Sequence, residues 1–414
     1  MFDVIVLGAG AGGLTAAIHA ARAGAKVLVI EKTDACGKKL SMTGNGRCNL
    51  SNLEMGPEMY NASAQEDIPT YFERFSVNET VSFFSSIGVV TQEEGGYLYP
   101  VSGQAMSVVS SLQRECERLQ VTFVFEEQVK AVSYDDEALA VSTDRNRYAS
   151  RAVIFATGAL SGTKKCGATG DAYYILEKLG IFSTERYPAL VPLLSNDETL
   201  PEVSGVRAFA TLTFMTPKKD LAAEYGEVQF TKGMLSGIPV LQASDVVAKA
   251  LALGEEVTVR VDLFPSYDDD LYEALVLSVL ERKELPGMER VSILDFLNGF
   301  HNSYLNETVL RKMKLSTSMK VKNISREMLR SILMHYRRVV ISVDGAASYE
   351  KAQATAGGVP LNAMTDTLMV KRTPGVFLAG ELLDVNGRCG GYNLQWAWTS
   401  GAIAGKAAAE YAKQ

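Results

Sequence analysis

The apolar and polar positions of the chain change their spacing several times, and each spacing predicts a different element. Residues 3–7 form an apolar run, a glycine-rich turn follows, residues 14–23 are rich in alanine, and residues 27–30 form a second apolar run. This order is typical of strand, turn, helix and strand. Further along, residues 77–87 and 104–119 have helical spacing. Short strand-like runs lie at 121–125, 128–133, 139–143 and 152–155.

The character of the chain changes from about residue 188. Strand-like pieces broken by Pro and Gly come first, and helical patterns follow. An apolar strand at 376–379 and an alanine-rich helix at 394–412 then resemble the α/β pattern of the first 187 residues. We therefore predict an α/β fold with a split, doubly wound domain and an insertion. The predicted parts are 1–187, an inserted unit 188–345 with a β part at 188–265 and a helical part at 266–338, and 346–414.

Composition narrows the class of protein. The chain has 414 residues, enough for two or three domains, with 47% hydrophobic and 21% charged residues and no apolar run of 18. These values exclude a membrane-spanning or disordered chain. The start of the sequence lacks the basic region of a signal peptide, so we expect a cytoplasmic protein. Five cysteines without a CxxC pair and three isolated histidines predict neither a disulfide framework nor a metal site.

Charge is distributed unevenly. The net charge is −7, but residues 311–338 hold nine basic residues against the single acid Glu327, a local +8 (9 − 1) that leaves −15 (−7 − 8) elsewhere. One reading is the solvated face of a packed amphipathic helix, because Leu329, Ile332 and Leu333 have that spacing. The other is a surface for RNA phosphates. The residues of that surface would be Arg311, Lys312, Lys314, Lys320, Lys322, Arg326, Arg330, Arg337 and Arg338.

The turn after the first strand carries a GxGxxG pattern formed by Gly8, Gly10 and Gly13. Gly8 suits a tight turn, Gly10 lets a pyrophosphate approach the backbone, and Gly13 lets helix and strand pack closely. Glu31 follows at the end of the second strand, where its carboxylate suits a ribose diol and repels a 2′-phosphate. The pattern predicts an adenosine diphosphate group, and the alternative is a glycine-rich turn without a ligand.

Two further apolar strands end in residues suited to a ligand, 154–158 in Thr-Gly and 376–381 in Gly-Glu. Strand ends of a doubly wound sheet face the ligand crevice, so three such ends indicate an extended ligand, and FAD fits. Glu381 would accept hydrogen bonds from ribityl hydroxyls, and a helix starting near 393–395 would point its amides at the flavin. An ordinary strand-end turn at Gly380-Glu381 is the alternative.

Four motifs carry a resemblance to a known family: Gly37-Lys38-Lys39-Leu40, Thr43-Gly44-Asn45-Gly46-Arg47-Cys48-Asn49, Ala354-Thr355-Ala356-Gly357-Gly358, and Gly390-Gly391-Tyr392-Asn393-Leu394-Gln395-Trp396-Ala397-Trp398. Through them essentially the whole chain resembles the bacterial BaiN/YhiN-type flavoprotein family. The resemblance implies a split FAD domain of the glutathione-reductase type with an inserted β-barrel-like domain and a small helical domain. It implies cofactor contacts at Gly8, Gly10, Gly13, Glu31, Lys32, Lys39, Gly44, Gly46, Arg47, Cys48, Val129, Ala156, Thr157, Gly158, Gly380, Glu381, Asn393, Leu394 and Gln395.

Members of that family are described as NAD(P)H-dependent reductases of carbon–carbon double bonds, acting on dehydro bile acids or a uridine of ribosomal RNA, and some as aminoacetone oxidases. No second GxGxxG follows a strand, so NADH or NADPH would dock transiently against the flavin, under a lid formed by the insertion. We expect hydride to reach the uridine or a steroid-like enone, and the basic stretch favours RNA. A small-amine oxidase releasing peroxide and a flavin redox sensor without turnover are the alternatives.

Lys232 is a candidate proton donor. It lies in the segment 230–239, which matches a motif where many members of the resembling family have His after Phe-Thr. If that His donates a proton in those members, Lys232 takes its place here.

Two Asn-Gly-Arg-Cys loops offer further candidates, Cys48 with Arg47 and Cys389 with Arg388. One hypothesis makes the cysteines redox or proton-transfer partners at the flavin ring. The other makes them small fillers in glycine-rich loops, because no CxxC spacing supports a redox dithiol. We expect the two arginines to supply positive charge to phosphate, reduced flavin or substrate.

Overall fold

The computed structural model describes residues 1–135, 138–162 and 166–414. It divides into two compact units, Met1–Ala189 with Tyr349–Gln414, and Leu190–Ser348. The sequence places these boundaries at 187/188 and 345/346. Among the described residues, no helix has the length and apolar character needed to cross a membrane.

The α-helices of the described residues, numbered in chain order, are α1 Ala11–Arg22, α2 Ile68–Arg74, α3 Val77–Ser86, α4 Ala105–Arg118, α5 Asp171–Lys178, α6 Ile238–Ala252, α7 Asp269–Lys283, α8 Ile293–Phe296, α9 Ser303–Lys312, α10 Arg326–His335 and α11 Tyr392–Tyr411. The strands are β1 Phe2–Leu7, β2 Val27–Ile30, β3 Ser51–Asn52, β4 Tyr60–Ala62, β5 Thr91–Glu94, β6 Tyr97–Pro100, β7 Thr122–Val124, β8 Val129–Asp135, β9 Ala138–Thr143, β10 Arg147–Phe155, β11 Tyr187–Ala189, β12 Leu193–Leu194, β13 Arg207–Met215, β14 Asp220–Thr231, β15 Met234–Ser236, β16 Val257–Asp262, β17 Val339–Val343, β18 Gly345–Ala346, β19 Ala354–Ala356, β20 Val376–Leu378 and β21 Val385–Gly387.

A parallel sheet forms the centre of the first unit. Its strands lie in the order β7, β2, β1, β10 and β20, and one row of Cα partners crosses all five, from Phe123 through Val29, Val6 and Ile154 to Phe377. The strands read as continuous apolar runs because a parallel sheet is covered on both faces. The first half of β10 pairs with β9 in an antiparallel hairpin extended by β8. This is the Rossmann-type α/β fold predicted from the sequence.

Helix α11 packs closely against α1 because two of its residues lack side chains. A Cβ on Gly401 would lie 2.5 Å from the carbonyl oxygen of Gly12, and one on Gly405 would lie 2.2 Å from that of Ala16. Any side chain at these positions would push the helices apart. The last helix of the chain is thereby fixed beside the first.

The second unit is a seven-stranded antiparallel sheet with helices. Its strands follow the path β17, β16, β13, β14, β15, β12 and β18, so β17 and β18 are the two ends. The residues of β13 alternate, with Ala208, Ala210, Leu212 and Phe214 in the core shared with the helices. Four helices begin at side-chain caps. The capping residues are Asp268, Ser292, Asn302 and Ser325.

Candidate cofactor site

The turn after β1 needs glycine at two positions because protein atoms occupy the space of a side chain. Gly8 has a φ of +99°, and a Cβ there would lie 2.7 Å from the carbonyl oxygen of Ala156. A Cβ on Gly13 would lie 2.0 Å from the carbonyl oxygen of Gly8. These contacts give Gly8 and Gly13 the turn and packing roles that the sequence predicts for them.

Gly10 differs, because neither packing nor backbone conformation requires a glycine there. Its φ is −82°, and a Cβ would meet no atom within 4 Å. Gly158 and Gly380, which follow β10 and β20, have φ of +70° and +72° and equally open surroundings. Since β1, β10 and β20 are adjacent and parallel, the open positions lie where three strand ends meet, the place where doubly wound sheets bind ligands.

The first turn of α1 offers hydrogen-bond donors beside Gly10. The N–H of Leu14 donates to the carbonyl of Gly10 at 2.9 Å and closes the first turn, so the N–H groups of Ala11, Gly12 and Gly13 precede the helical ladder. No acidic side chain occupies this turn. The positive end of the helix and these donors suit a diphosphate.

Glu31 lies against the same turn. One carboxylate oxygen accepts a 2.8 Å hydrogen bond from the N–H of Ala9, and the other accepts one from the N–H of Thr33 at 2.8 Å. These two bonds hold the carboxylate at the end of β2, next to the glycine turn. This is the position from which a ribose diol can be bound.

The segment after β7 lies alongside Glu31. The N–H of Glu126 donates to the carbonyl of Thr33 at 3.0 Å, and that of Glu127 to the carbonyl of Glu31 at 3.2 Å. Val129 starts β8 immediately afterwards. Val129 thus lies two residues after Glu127, whose N–H bonds to Glu31. Both Val129 and Glu31 are positions expected to contact the cofactor.

Lys32 belongs to a polar group that sequence reasoning missed. Its ammonium contacts Asp171 at 3.2 Å and the hydroxyl of Thr169, and Gln128 donates to Asp171 at 2.7 Å. Burial raises the pKa of Asp171, but the hydrogen bond from Thr169 and the charge of Lys32 outweigh it, so the net pKa is lowered. Asp171 therefore stays ionised beside Lys32. The sequence feature that could have indicated this polar group is Gly170-Asp171, a glycine followed by an acid at the start of α5.

Glu381 forms a second polar cluster after β20. Lys39 donates to one of its carboxylate oxygens at 2.6 Å, while the N–H of Thr355, at 2.8 Å, and the hydroxyl of Ser161 donate to the other. Lys39 also donates to Ser161 at 2.6 Å. Both oxygens that were expected to accept ribityl hydroxyls therefore have protein donors. Sequence reasoning named Lys39 and Glu381 separately and missed Ser161 and Thr355, which join them.

The N-terminus of α11 lies near these strand ends, since Trp396 donates through its ring nitrogen to the carbonyl of Gly380 at 3.2 Å. The N–H of Gln395 donates to the carbonyl of Gly391 at 2.9 Å, which leaves the amides of Asn393 and Leu394 ahead of the helical ladder. The side chain of Asn393 pairs with the backbone of Gly387. Helix α11 begins at Tyr392, close to the predicted start, and the cofactor contacts expected of Asn393 and Leu394 stay predictions.

Gln395 has its polar side-chain atoms bonded within the protein. Its side chain is fully buried and bonds to Ser51 at 2.6 Å, Thr80 at 2.8 Å and Thr399 at 3.0 Å, and its backbone N–H is bonded within the helix. No donor of this residue is left for a cofactor. The bonds to Ser51 and Thr80 join α11 to β3 and α3, and the cofactor contact expected of Gln395 stays a prediction.

The first Asn-Gly-Arg-Cys loop has an unusual backbone. Gly44, Asn45, Gly46 and Cys48 all have φ between +54° and +84°. Cys48 is 0% exposed, and burial raises the pKa of its thiol to about 12. A thiolate does not form there at neutral pH, which favours the small-filler reading over a redox or catalytic role.

Arg47, in contrast, faces outward. Its guanidinium bonds both carboxylate oxygens of Glu94 at 2.7 and 2.8 Å and stacks on the ring of Tyr99 at 4.3 Å. The hydrogen bonds to Glu94 are the main reason why the pKa of Arg47 is raised. Arg47 therefore supplies the predicted positive charge, but the carboxylate of Glu94 partly neutralises it.

The structure brings both Asn-Gly-Arg-Cys loops to the start of α11. The first loop continues into Asn52, whose side chain donates to the carbonyl of Gly390 at 3.1 Å. The second begins within β21, and its Arg388 donates a backbone hydrogen bond to Met59 at 2.9 Å. Cys389 is partly exposed. The two loops with the same four-residue motif therefore both lie near the start of α11. The catalytic roles of Arg388 and Cys389 stay predictions.

Lys232 lies in the second unit. It is exposed in the tight turn that joins β14 to β15, followed by Gly233 with a φ of +74°. Its role as a proton donor stays a prediction. Within the described ranges, no group of His, Cys, Asp and Glu has the arrangement of a metal site.

The basic stretch of residues 311–338 is less positive than its sequence suggests. Acids from other segments pair with four of its nine basic residues: Arg311 with Glu202, Lys312 with Asp197, Arg330 with Glu273, and Arg337 with Asp262 and Asp269. The net charge around the stretch is therefore smaller than the +8 of its own residues, and its contact with RNA stays a prediction. The residues of the stretch that are exposed and outside such pairs, among the described residues, are Lys314, Lys320, Lys322, Arg326 and Arg338.

A Rossmann-type sheet with a glycine turn, an acid after β2 and open strand ends defines the class of FAD-binding flavoprotein oxidoreductases. The chain belongs to the HI0933-like family, because the model of the HI0933-like protein Rossmann domain matches residues 2–407.

Two relatives are similar to the chain over nearly its whole length, and a solved structure shares its fold. The chain is 34% identical to the 3-dehydro-bile acid delta(4,6)-reductase of Clostridium scindens over 98% of both chains. It is 28% identical to the ribosomal RNA dihydrouridine synthase of Escherichia coli over 96% of both. The 3-ketosteroid delta1-dehydrogenase structure of Sterolibacterium denitrificans shares the fold, with a TM-score of 0.52, 11% identity and 99% coverage of both chains.

Proposed function

We propose that the protein uses NADH or NADPH to reduce a carbon–carbon double bond conjugated to a carbonyl group, and that its substrate is a uridine in ribosomal RNA. The observation that carries the flavin assignment is Gly10, a glycine that no neighbouring atom requires, beside the free amides of α1. The relatives support the reaction, because both full-length relatives described above are named for chemistry at such a double bond.

The described residues suggest how the chain would hold FAD. The N–H groups of Ala11, Gly12 and Gly13 would bind the diphosphate, and Glu31 the adenosine ribose. Lys39, held by Glu381, places a positive charge at the end of β20. When bound, FAD supplies hydride-transfer chemistry. The amides of Asn393 and Leu394 at the positive end of α11 would stabilise negative charge there.

The nicotinamide donor would dock without a site of its own. Only one GxGxxG follows a strand in the sequence, and the glycine turn after β1 would be filled by FAD. NADH or NADPH would therefore bind transiently, give up hydride and leave before the substrate binds. The carbon next to the hydride acceptor also needs a proton, for which we propose exposed Lys232 or solvent rather than buried Cys48.

Uridine and a steroid-like enone share the reacting group, so the choice between them depends on recognition. The exposed basic residues Lys314, Lys320, Lys322, Arg326 and Arg338 favour RNA. The higher identity to the bile-acid enzyme favours an enone, which is the second candidate. Oxidation of a small amine with release of peroxide is the third candidate, and stopped-flow absorbance distinguishes all three.

Anaerobic stopped-flow absorbance tests the proposal. We expect NADH or NADPH to bleach the flavin of the purified protein, and an unmodified ribosomal RNA fragment to restore its absorbance while dihydrouridine forms. Re-oxidation by a 3-keto steroid enone but not by RNA would select the second candidate. Bleaching by aminoacetone and not by NAD(P)H would contradict the proposal and indicate an oxidase.

A further inference from the structure

One face of the sheet in the second unit is open. Strand β13 alternates, and its core-facing residues, such as Ala210 and Leu212, are fully buried against the helices. The opposite face of β17, β16, β13 and β14 consists of partly or fully exposed residues apart from Thr213. An antiparallel sheet often turns one face to water, and polar side chains are expected there.

Two aromatic rings interrupt that polar face. Phe209 on β13 and Tyr225 on β14 are each 59% exposed, and their ring centroids lie 6.2 Å apart at an interplanar angle of 34°. Thr211 is the Cα partner of Tyr225 on one side and of Asp262 on the other, so the rings lie near the middle of the sheet. Because the two rings are neighbours, they form a small apolar patch on an otherwise polar face, which a ligand or partner can cover.

Positive charge accompanies the rings. Arg260 on β16 lies on the same face, donates to Thr213 at 3.4 Å and forms no ion pair with an acid anywhere in the described residues. Lys218 and Lys219 are exposed in the turn between β13 and β14, about 20 Å along β14 from Tyr225. Neither is in an ion pair within the described ranges. Arg207 shares its charge with Glu227 at 3.1 Å.

We propose that this open face, built around Phe209, Tyr225 and Arg260, binds an unpaired RNA segment by stacking bases on the two rings. Aromatic rings on a four-stranded sheet can stack two or three bases, and neighbouring cations bind the phosphates. A flat face does not enclose a small molecule, which prefers a concave site. Two rings are also too little apolar surface for a stable dimer, which buries roughly 800 Å² on each partner.

The inference deepens the proposed function, since it specifies where an RNA substrate would be held apart from the reacting uridine. Stacking on the rings would add to the affinity that the five exposed basic residues of the stretch 311–338 supply.

Fluorescence anisotropy of a labelled, uridine-rich single-stranded RNA tests the surface on the FAD-loaded protein without NAD(P)H. We expect Phe209→Ala and Tyr225→Ala each to raise Kd by about tenfold. Phe209→Leu keeps an apolar side chain but loses the ring, and should weaken binding as Phe209→Ala does. Phe209→Trp should preserve it. The matched control is Tyr174→Ala, which removes an equally exposed ring from α5 in the first unit.

Several results would overturn the inference. One such result is that the unchanged protein does not bind the RNA. Another is that the double alanine variant binds it with the same Kd as the unchanged protein. A change in molar mass by light scattering on mutating the rings would instead assign the face to an interface between two copies. Circular dichroism and flavin content check that the variants fold.

The inference and the proposed function can fail separately. If the double variant loses RNA binding but no dihydrouridine forms in the unchanged protein, the surface stands and the reaction fails. If the double variant converts the RNA with unchanged kcat/KM, the reaction stands and the surface fails. Re-oxidation of the flavin by a small enone should be the same in both proteins.

Discussion

The ammonium of Lys39 donates a 2.6 Å hydrogen bond to the carboxylate of Glu381, although the two residues are 342 positions apart in the sequence. Lys39 follows β2 and Glu381 follows β20, so this ion pair joins the two separate parts of the first unit. Ser161, in the segment that follows β10, bonds to both partners. The pair thus fixes a charged group where the strand ends meet and where we place the cofactor.

Replacing Lys39 by Met should leave the carboxylate of Glu381 largely buried without its counter-charge. Because Ser161 and Thr355 still donate to it, we expect a loss of about 1–2 kcal/mol in the free energy of unfolding, together with weaker FAD retention. Urea unfolding and the flavin absorbance of the purified variant measure both effects. Lys38→Met is the matched control, since Lys38 pairs with the exposed Asp34. Equal behaviour of the two variants would contradict the role given to Lys39.

Gly10→Val should abolish FAD retention while leaving the apoprotein folded. The Cβ of the new side chain would meet no protein atom within 4 Å, and the side chain would occupy the space assigned to the diphosphate. Gly13→Ala is the informative comparison. Its Cβ would lie 2.0 Å from the carbonyl oxygen of Gly8, so the apoprotein itself should lose about 1–3 kcal/mol. A purified Gly10→Val protein with a full flavin complement would falsify the assignment of this turn.

Thiol titration distinguishes the two readings of Cys48. Cys36, Cys48 and Cys116 are buried, whereas Cys166 and Cys389 are partly exposed, so at most two thiols of the native protein should react with a disulfide reagent at pH 8. Cys48→Ala should retain FAD and turn over within about twofold of the unchanged protein. Prompt labelling of Cys48 in the native state, or loss of turnover with the flavin retained, would restore a catalytic role.

The local motifs were predictable because each lies within one stretch of chain. The strand-turn-helix-strand unit and the glycines after β1, β10 and β20 appear where the sequence indicates them. Lys39 and Glu381 were also named, but the contacts that unite them through Ser161 were not, because they form only when distant segments meet.

Two other features show why sequence reasoning fell short. Helix α6 lies within the predicted β part, where Gly237, with a φ of +99°, and Pro239 start a helix rather than interrupt strands. The basic stretch was judged by its own single acid, Glu327, whereas acids such as Glu273 and Asp262 approach it from other elements. Charge summed along a segment does not report the charge around it in the fold.

The pH dependence of stability should depend in part on His19. Its ring lies between Phe75 and Phe83 and bonds to the carbonyl of Thr15 at 2.9 Å, and burial lowers the pKa of His19 from 6.5 to about 4. A folded-state pKa below the unfolded value stabilises the protein fully above pH 6.5, and this stabilisation is lost as the pH falls towards 4. Between pH 7 and pH 5 the loss should amount to about 2 kcal/mol.

His19→Gln tests this expectation because it removes the titrating group and keeps a hydrogen-bond donor. The variant should be less stable at pH 7, where packing against Phe75 and Phe83 is lost, and its stability should fall less than that of the unchanged protein on going to pH 5. Urea unfolding at both pH values measures the difference. Parallel losses in the two proteins would mean that His19 is protonated in the folded state and that other groups control the response to acid.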